Sequence, residues 1–538
     1  MADYSKLLRD RVTLKCRSLD RIFLQAYVPK LQCVGQVCTF LRWHRGFRIP
    51  SSAAFGKIGT EYVAAVHAFA AQHGIPVVRF EKGQVKEEIA RPYIEAAARD
   101  RRDAVVLIGV AQEKAVVWRS WKAKGQEKAA HPHMEWGRQM AFVNHFYFYV
   151  WDSDWGPAFW KTNAYAPYPI WIWLNGHEWA KRQLEKQSVG YEALDNGFRS
   201  CEDAQALQRV CDRLGSGAIK NFLWRWLARL PSPFTQEDIR NGYQYELAFR
   251  QLEVSETVVF DRPAAGRAWF EGVIRDHLDI GRPDQVALIF DRRVSRRTPG
   301  TFRTRVVTKG VDPTLTCYYR SSRIKQYFKE GRALRTETVI CDTRDFGIGR
   351  RVCADNLQAL RAVGSSANRR LLDAEAHDAL PAPDVVTFDR VTRPSNDDGL
   401  YTPGLRFGDP RVVAVFAAVV GFCHLIDGFT NRRLTDRVST LLDDLPYNSR
   451  HATYDLRRLR RKGLVTKIPK SHRYQLTPLG RRVAVLFTKT YGRVLTPGLT
   501  ALDPALPAEA ERRSPLARAW RQLDAALDDY LKAAMTAA

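Results

Sequence analysis

The stretch from Phe142 to Trp179 constrains the fold more than any other part of the chain. It holds six of the 14 tryptophans and mixes apolar runs with turn signals. The run Ala141–Trp151 is apolar or aromatic at nearly every position, which predicts a strand covered on both faces. Ile170–Leu174 predicts a second such strand, and Asn175-Gly176 predicts a turn into a helix. The stretch therefore predicts two buried strands of one sheet.

The sequence before this stretch has the order of an α/β layer. Apolar spacing predicts a helix at about 60–73, a strand at 75–80, a helix at 85–100 and a strand at 104–110. Strands that alternate with helices indicate a sheet with helices packed against it. We therefore predict an α+β multidomain protein that contains an N-terminal, aromatic-rich α/β domain at 53–215.

The remaining chain is predicted to divide into further segments. Residues 1–52 are basic and amphipathic, which predicts a short helical section. Amphipathic segments also predict helices over most of 216–290, followed by strands between Pro, Gly and charged turns. The predicted segments are a central helical and basic mixed α/β region at 216–377, a linker at 378–408, a winged-helix domain at 409–500, and a linker with a terminal helix at 501–538.

Charge and cysteine usage restrict the class of partner and the compartment. The chain has 84 basic and 58 acidic residues, and its net charge of +26 attracts polyanions. DNA or structured RNA is therefore the expected partner. No apolar run reaches the roughly 18–20 residues that cross a bilayer, and the N-terminus has no signal-peptide segment. These two absences predict a cytoplasmic protein without membrane contact. The nine cysteines have no CxxC spacing, which indicates neither a zinc ribbon nor a disulfide framework and agrees with that prediction.

The clearest recognition motif lies in the predicted winged-helix domain. Its order is helix, helix, helix, strand, turn, strand and helix, and the third helix, SRHATYDLRRLRRKG, is strongly basic. Ala452, Leu456 and Leu459 share one helical face, which predicts that this face is buried. The outer face would enter a major groove, although winged helices also serve protein contacts. The predicted contacts are Arg450, His451, Thr453, Tyr454, Arg457, Arg458 and Arg461 on the helix, and Lys467, Lys470, His472 and Arg473 on the turn.

Two resemblances accompany these patterns. The sequence YDLRRLRRKGLVTKIPKSHRYQLTPLGRRVA resembles the winged helix of MarR-type regulators, which implies a helix and a wing that contact DNA. That module occurs in proteins of many functions. The phrases NGHEWAKRQL, LDNGF, RPDQVALIFDRR and IKQYFKEGRALRTET resemble a large family of uncharacterised bacterial proteins. This second resemblance implies no catalytic residue.

A second basic segment lies at 292–351, where 16 basic residues accompany five acidic ones. Arginine side chains bind phosphate with two parallel hydrogen bonds, and the tyrosines between them can stack unpaired bases. The alternative is a solvated basic face of a sheet. The predicted contacts are Arg292, Arg293, Arg296, Arg297, Arg320, Arg323, Lys325, Lys329 and Arg332.

Carboxylates at predicted strand ends indicate a possible enzyme. Asp152 and Asp154 would point to the same side of an extended chain, and Glu81 ends a neighbouring strand. Three such groups can hold Mg²⁺ or Mn²⁺ for phosphodiester hydrolysis, with His145 and His177 as proton carriers. Asp-Ser-Asp before Trp-Gly-Pro is also ordinary turn chemistry.

The leading hypothesis from the sequence is a nucleic-acid-binding protein that uses the winged helix and the central Arg-rich surface. Such a protein would belong to a mobile element or a ribonucleoprotein. The alternative is a metal-dependent nuclease or strand-transfer enzyme with Asp152 and Asp154 as metal ligands. Recognition alone rarely needs a chain of 538 residues, which favours a role beyond that of a simple repressor.

Overall fold

The computed structural model is that of a mixed α/β protein with two compact units. It describes residues 12–125, 133–262, 304–377, 385–421 and 429–488, with gaps of one or two residues inside these ranges and a few isolated residues elsewhere. The first unit comprises 10–286 and 294–369, and the second includes 370–538. The predicted boundary near residue 215 therefore falls inside the first unit.

One 11-stranded sheet is the framework of the first unit. Its order is β10-β11-β12-β13-β9-β1-β6-β5-β4-β3-β2, and β7 pairs with β8 in a separate hairpin. Only β2 and β3 run parallel among these neighbours. The bounds are β1 Val12–Tyr27, β2 Val77–Arg79, β3 Ala104–Lys122, β4 Met134–Asp152, β5 Gly156–Asn163, β6 Ile170–Asn175, β7 Tyr191–Leu194, β8 Gly197–Cys201, β9 Glu246–Phe260, β10 Thr304–Lys309, β11 Asp312–Tyr319, β12 Ser322–Lys329 and β13 Ala333–Ile340.

Strand β1 lies in the middle of this sheet, so the prediction of a helical section at 1–52 is wrong for Val12–Tyr27. Burial along the strand has a period of two, as Leu14 and Cys16 show. The alternation breaks between Leu19 and Ile22, where the register with β9 shifts. At the bulge, Leu19 is buried in addition to the even-numbered positions, which hides the strand pattern in the sequence.

The aromatic stretch forms strands β4 to β6, which confirms the two predicted strands. The Asn175 side chain caps the next helix by accepting hydrogen bonds from the backbone N–H groups of His177 and Glu178. Across the strands, the Trp173 ring stacks on Phe23 at 4.2 Å and on Phe159 at 4.3 Å between centroids. The prediction of helices over most of 216–290 is wrong for Glu246–Phe260, which forms strand β9.

Helices cover both faces of the sheet. The ring of Tyr62 packs on Phe146, whereas Ala90 belongs to a cluster with Tyr147. Neighbouring residues of a strand point to opposite faces, so the helices that carry Tyr62 and Ala90 lie on opposite sides. The helices of this unit are α1 Val34–Thr39, α2 Ser52–His73, α3 Lys86–Asp100, α4 Gly176–Lys186, α5 Ala204–Arg213, α6 Ser216–Leu227, α7 Gln236–Arg240 and α8 Ala354–His377, which runs into the second unit.

The second unit packs short helices on a three-stranded sheet of order β16-β18-β17. Its core includes Val391 and Leu405, so part of the predicted linker at 378–408 belongs to it. Within the described ranges, no helix is long and apolar enough to cross a membrane. The elements are α9 Val385–Thr392, β14 Ser395–Asp397, β15 Leu400–Thr402, α10 Pro410–Gly421, β16 Phe429–Thr430, α11 Asn431–Leu442, α12 Ser449–Arg461, β17 Val465–Lys467, β18 Arg473–Leu476 and α13 Pro478–Val485.

Candidate functional site

Helix α12 has one buried face and one cationic face. The three positions predicted to be buried are at most 2% exposed. On the other side, Arg450, Arg457 and Arg460 are exposed, and none forms an ion pair with another described residue. Tyr454, 45% exposed, lies between them. Residues three, four and seven apart share one side of a helix, so Arg450, Tyr454 and Arg457 form a single surface, with Arg460 at its edge beside the buried face. We call this surface the α12 face.

Two arginines predicted on this surface make their contacts within the unit instead. Arg458 is only 11% exposed, because its guanidinium pairs with Asp455 at 3.3 Å and donates to the carbonyl oxygen of Gly404. Arg461 donates to the carbonyl oxygen of Tyr401 at 3.3 Å. A guanidinium that already donates to the protein has fewer N–H groups for phosphate. The structure therefore gives Arg458 an internal role.

The polar residues at the start of α12 also hold the helix. The Nδ1 atom of His451 accepts a hydrogen bond from the backbone N–H of Asn448, which completes a capping box. The Thr453 hydroxyl accepts a hydrogen bond from the side chain of Asn431 at 2.8 Å. Both predicted contacts thus fix the N-terminus of α12, and Thr453 remains exposed.

Asp455 organises α12 from its buried side. It is the one acidic residue between positions 448 and 493, and it is 2% exposed. Its Oδ2 atom accepts from Arg411 Nη2 at 3.0 Å and from the Tyr447 hydroxyl at 3.0 Å. Its Oδ1 atom accepts from Arg458 at 3.3 Å. One carboxylate therefore connects α12 to α10 and to the preceding turn.

The turn between β17 and β18 contributes further basic residues. Lys467 and His472 are exposed, and Arg473 is partly buried; Lys470 lies outside the described residues. Exposed cations that the sequence reasoning missed are Arg460 and, on α11, Arg432 and Arg433. Arg432 and Arg433 both lie in the first turn of α11, which begins at Asn431.

The first unit contains a different kind of site, a group of three buried carboxylates. Asp20, Glu253 and Glu337 come from β1, β9 and β13, and their oxygen atoms lie within 4.8 Å of one another. Among the described residues, no other set of three His, Cys, Asp or Glu side chains is this close. The bulge in β1 is the local feature that brings Asp20 to this position. These three residues could hold a metal ion, and sequence reasoning missed all of them.

Two cations already neutralise part of this carboxylate cluster. Arg335 Nη1 lies 3.2 Å from Asp20 Oδ2 and 3.6 Å from Glu337 Oε1. Lys325 Nζ lies 2.6 Å from Glu337 Oε2 and 4.0 Å from Glu253 Oε2. Burial raises the pKa values of Glu253 and Glu337. With three carboxylates and two cations, the cluster keeps one excess negative charge when all its acids are ionised.

His177 borders the carboxylate cluster. Its Nε2 atom lies 3.2 Å from Arg335 Nη2, 3.2 Å from Ser255 Oγ and 4.0 Å from Asp20 Oδ2. Burial and the charge of Arg335 lower the pKa of His177 well below its ordinary value. The imidazole is therefore neutral at pH 7. Gly197 packs directly against Arg335: a Cβ atom at position 197 would lie 2.5 Å from Arg335 Nη2, so a larger residue there would displace the guanidinium.

Asp152 and Asp154 stabilise a turn between β4 and β5. Asp152 is fully buried, and its Oδ1 atom accepts from two backbone N–H groups of the turn. Its Oδ2 atom accepts from Trp226 Nε1 at 2.9 Å and from Arg225 at 3.2 Å. Asp154 pairs with Lys186 and Arg225. Both carboxylates are thus already bonded to protein donors, which fits the turn interpretation.

The other residues of the predicted metal site lie elsewhere. Glu81 is exposed, and its nearest ion partner is Arg79 at 4.0 Å. His145 precedes Asp152 by seven positions on β4, which corresponds to about 23 Å along a strand. Burial and the charge of Lys161 lower the pKa of His145 to about 4. Among the described residues, Asp152 therefore forms no metal-binding group with Glu81 or His145.

The central basic segment is only partly available for phosphate. Lys325 pairs with Glu337, and Lys329 lies 3.6 Å from Asp195. Arg332 is exposed, whereas Arg320 and Arg323 are partly buried. Arg292, Arg293, Arg296 and Arg297 lie outside the described residues.

Comparisons with known proteins leave these sites to be judged on their own geometry. No protein-family model, curated protein or solved structure matches the chain. The two candidates that the structure offers are the α12 face, which presents cations to solvent, and the carboxylate cluster, which gathers buried acids.

Proposed function

We propose that the second unit is a winged helix that binds duplex DNA through the α12 face. The single observation that carries this proposal is the row of exposed arginines at 450, 457 and 460, which have no acidic partner among the described residues. Support comes from the element order α10-β16-α11-α12-β17-β18-α13 and from the buried opposite face of α12. A helix supported in this way can enter a major groove, with a loop beside it on the backbone.

Duplex DNA fits this helix better than duplex RNA. The major groove of B-DNA is wide enough to admit an α-helix, whereas the major groove of A-form RNA is deep and narrow. Tyr454 adds an apolar ring between the arginines, and the exposed Lys467 and His472 would contact backbone phosphates. We therefore expect binding to fall in the order duplex DNA, single strands, duplex RNA.

Fluorescence anisotropy with labelled duplexes tests the proposal on the full chain. The double variant Arg457→Gln/Arg460→Gln removes two unpaired charges from the α12 face. Each phosphate contact contributes about 0.9 to the slope of log K against log salt concentration, so the slope should fall by about 1.8. Affinity at moderate salt should fall at least tenfold.

The matched control is Arg99→Gln, which removes an exposed arginine from α3. This control should lower nonspecific attraction slightly, and its slope of log K against log salt concentration should equal that of the native chain within experimental error. Equal losses for the α12 variant and the control would contradict the proposal. Stronger binding to one RNA species than to any DNA duplex would favour a ribonucleoprotein instead.

We propose as a second candidate a metal-dependent phosphodiester reaction at the carboxylate cluster. The observation that favours it is the convergence of Asp20, Glu253 and Glu337 within 4.8 Å. Hard divalent cations such as Mg²⁺ and Mn²⁺ prefer carboxylate oxygens. This location replaces Asp152 and Asp154, whose oxygens are engaged by Arg225 and Trp226. Lys325 would have to yield part of its contact with Glu337 to the ion.

Thermal shift with Mn²⁺ or Mg²⁺, followed by cleavage assays with EDTA controls, tests this second candidate. Glu253→Gln should abolish both the metal-induced shift and any cleavage. Glu192→Gln, on the exposed strand β7, is the matched control and should retain them. Cleavage that survives Glu253→Gln but is lost in Asp152→Asn would return the site to the β4–β5 turn.

A further inference from the structure

Two buried thiols meet between β1 and α5. Cys16 and Cys211 are each 2% exposed, and their Sγ atoms lie 3.8 Å apart. The two residues are 195 positions apart in the chain. This separation between sulfur atoms is van der Waals contact, and a disulfide needs about 2.05 Å. A modest movement of the two side chains therefore brings the sulfurs to bonding distance.

A cavity reaches one thiol of the pair and not the other. It has a volume of about 250 Å³. A water molecule occupies about 30 Å³ in the liquid, so a peroxide molecule fits easily. Cys211 lines the cavity, whereas Cys16, on β1, is not among the lining residues. Ser18 and Arg361 also line it.

The two thiols also differ in their tendency to ionise. The contact with the Cys16 thiol lowers the pKa of Cys211, with further contributions from Ser18 and Arg361. The same contact, with burial, raises the pKa of Cys16. The thiolate is the reactive form of cysteine. The sulfur that borders the cavity is therefore also the one that ionises more readily.

We propose that Cys211 is a peroxide-reactive thiol and that Cys16 converts its oxidised form into a disulfide. The Cys211 thiolate attacks one oxygen of hydrogen peroxide, the O–O bond breaks, and sulfenic acid and hydroxide form. The Cys16 sulfur then attacks Cys211 Sγ, the S–O bond breaks, and the hydroxyl leaves as water with the remaining thiol proton. In sum, two thiols and one peroxide give one disulfide and two waters.

The product would tie α5 covalently to the central strand of the sheet. It would close a loop of about 195 residues, and such a crosslink restricts the unfolded chain strongly. This modification does not depend on either function proposed above, because neither Cys16 nor Cys211 belongs to the α12 face or to the carboxylate cluster.

Peptide mapping of the full chain tests the proposal. Reduced protein is treated with equimolar hydrogen peroxide, free thiols are blocked with N-ethylmaleimide, and the digest is analysed without reduction. We expect a peptide linked through Cys16 and Cys211, and a higher melting temperature that returns to its original value with dithiothreitol. Absence of this linked peptide while other cysteines become oxidised would overturn the proposal.

Single variants test the order of the two steps. Cys16→Ser should accumulate sulfenic acid at Cys211, which dimedone traps, whereas Cys211→Ser should give no trapped product at Cys16. Cys201→Ser is the control and should form the same crosslink as the native chain. Trapping at Cys16 instead of Cys211 would overturn the assignment of roles. Circular dichroism checks that each variant is folded. The crosslink experiment itself uses the native chain and therefore does not depend on the folding of any variant.

Discussion

The substitution Asp455→Asn tests whether one buried carboxylate holds α12 in its position. The side-chain shape is retained, and the charge shared by Arg411 and Arg458 is removed. The Tyr447 hydroxyl keeps an acceptor, because asparagine still presents one oxygen. We expect a less stable second unit with an unchanged α12 face.

The size of the loss follows from the three donors around Asp455. Hydrogen bonds to charged groups contribute about 1.5–3 kcal/mol, and neutral ones about 0.5–1.5 kcal/mol. Each arginine thus loses about 1 kcal/mol when its partner becomes neutral. Arg411 is 34% exposed and can regain hydration, whereas Arg458 is 11% exposed and is left in a poorly solvated position. The expected destabilisation is about 2–4 kcal/mol, which is large against the ~5–15 kcal/mol of a typical domain.

Urea denaturation followed by DNA binding provides the assay. The exposed carboxylate of α11 supplies the control, because Asp436→Asn should change stability by less than about 0.5 kcal/mol. At a urea concentration where Asp455→Asn is still folded, its salt slope should equal that of the native chain, since the exposed arginines are untouched. A destabilisation equal to that of Asp436→Asn would refute the assigned role of Asp455.

Three further substitutions probe the first unit. The pKa of His145 is lowered from 6.5 to about 4 in the folded chain, so its imidazole takes up a proton more readily in the unfolded chain. As pH falls from 6.5 to 4, the native chain should therefore lose up to about 3 kcal/mol of unfolding free energy that His145→Asn does not lose. Urea titration at each pH measures this difference. Arg335→Met should cost about 3–5 kcal/mol, since Asp20 and Glu337 lose a buried partner; a loss below 1 kcal/mol in the same titration contradicts this. Trp173→Ala should cost about 1–3 kcal/mol, because the partly buried ring loses its stacking on Phe23 and Phe159, with a matching loss of near-ultraviolet circular dichroism.

Local patterns in the sequence predicted the elements whose stability is locally encoded. The apolar run of β4, the helix after Asn175-Gly176 and the amphipathic pattern of α12 each depend on spacing within a few residues, and the structure has all three elements. Strands β1 and β9 were missed because each is defined by its pairing with the other, far along the chain. The bulge in β1 also interrupts the alternation that would have indicated a strand.

The candidate sites show the same division. Asp152 and Asp154 attracted notice because they are two residues apart, but Arg225, which pairs with both, lies 73 positions from Asp152. The carboxylate cluster joins three strands that are distant in sequence, so no spacing rule indicates it. On α12, periodicity correctly predicted the buried face. It assigned Arg458 to the surface because the carbonyl oxygen of Gly404, its partner, comes from a distant turn.

The position of β1 has a consequence for synthesis of the protein on the ribosome. Its two neighbours, β6 and β9, are made long after it, and more than 200 residues separate Tyr27 from Glu246. At about 5–20 residues per second, β1 waits roughly 10–40 s for its second partner. Both edges of β1 can pair with another chain until β6 is made, and the edge that belongs to β9 stays free until the end of this time. Residues 12–27 are therefore open to mispairing with another chain until β9 is made.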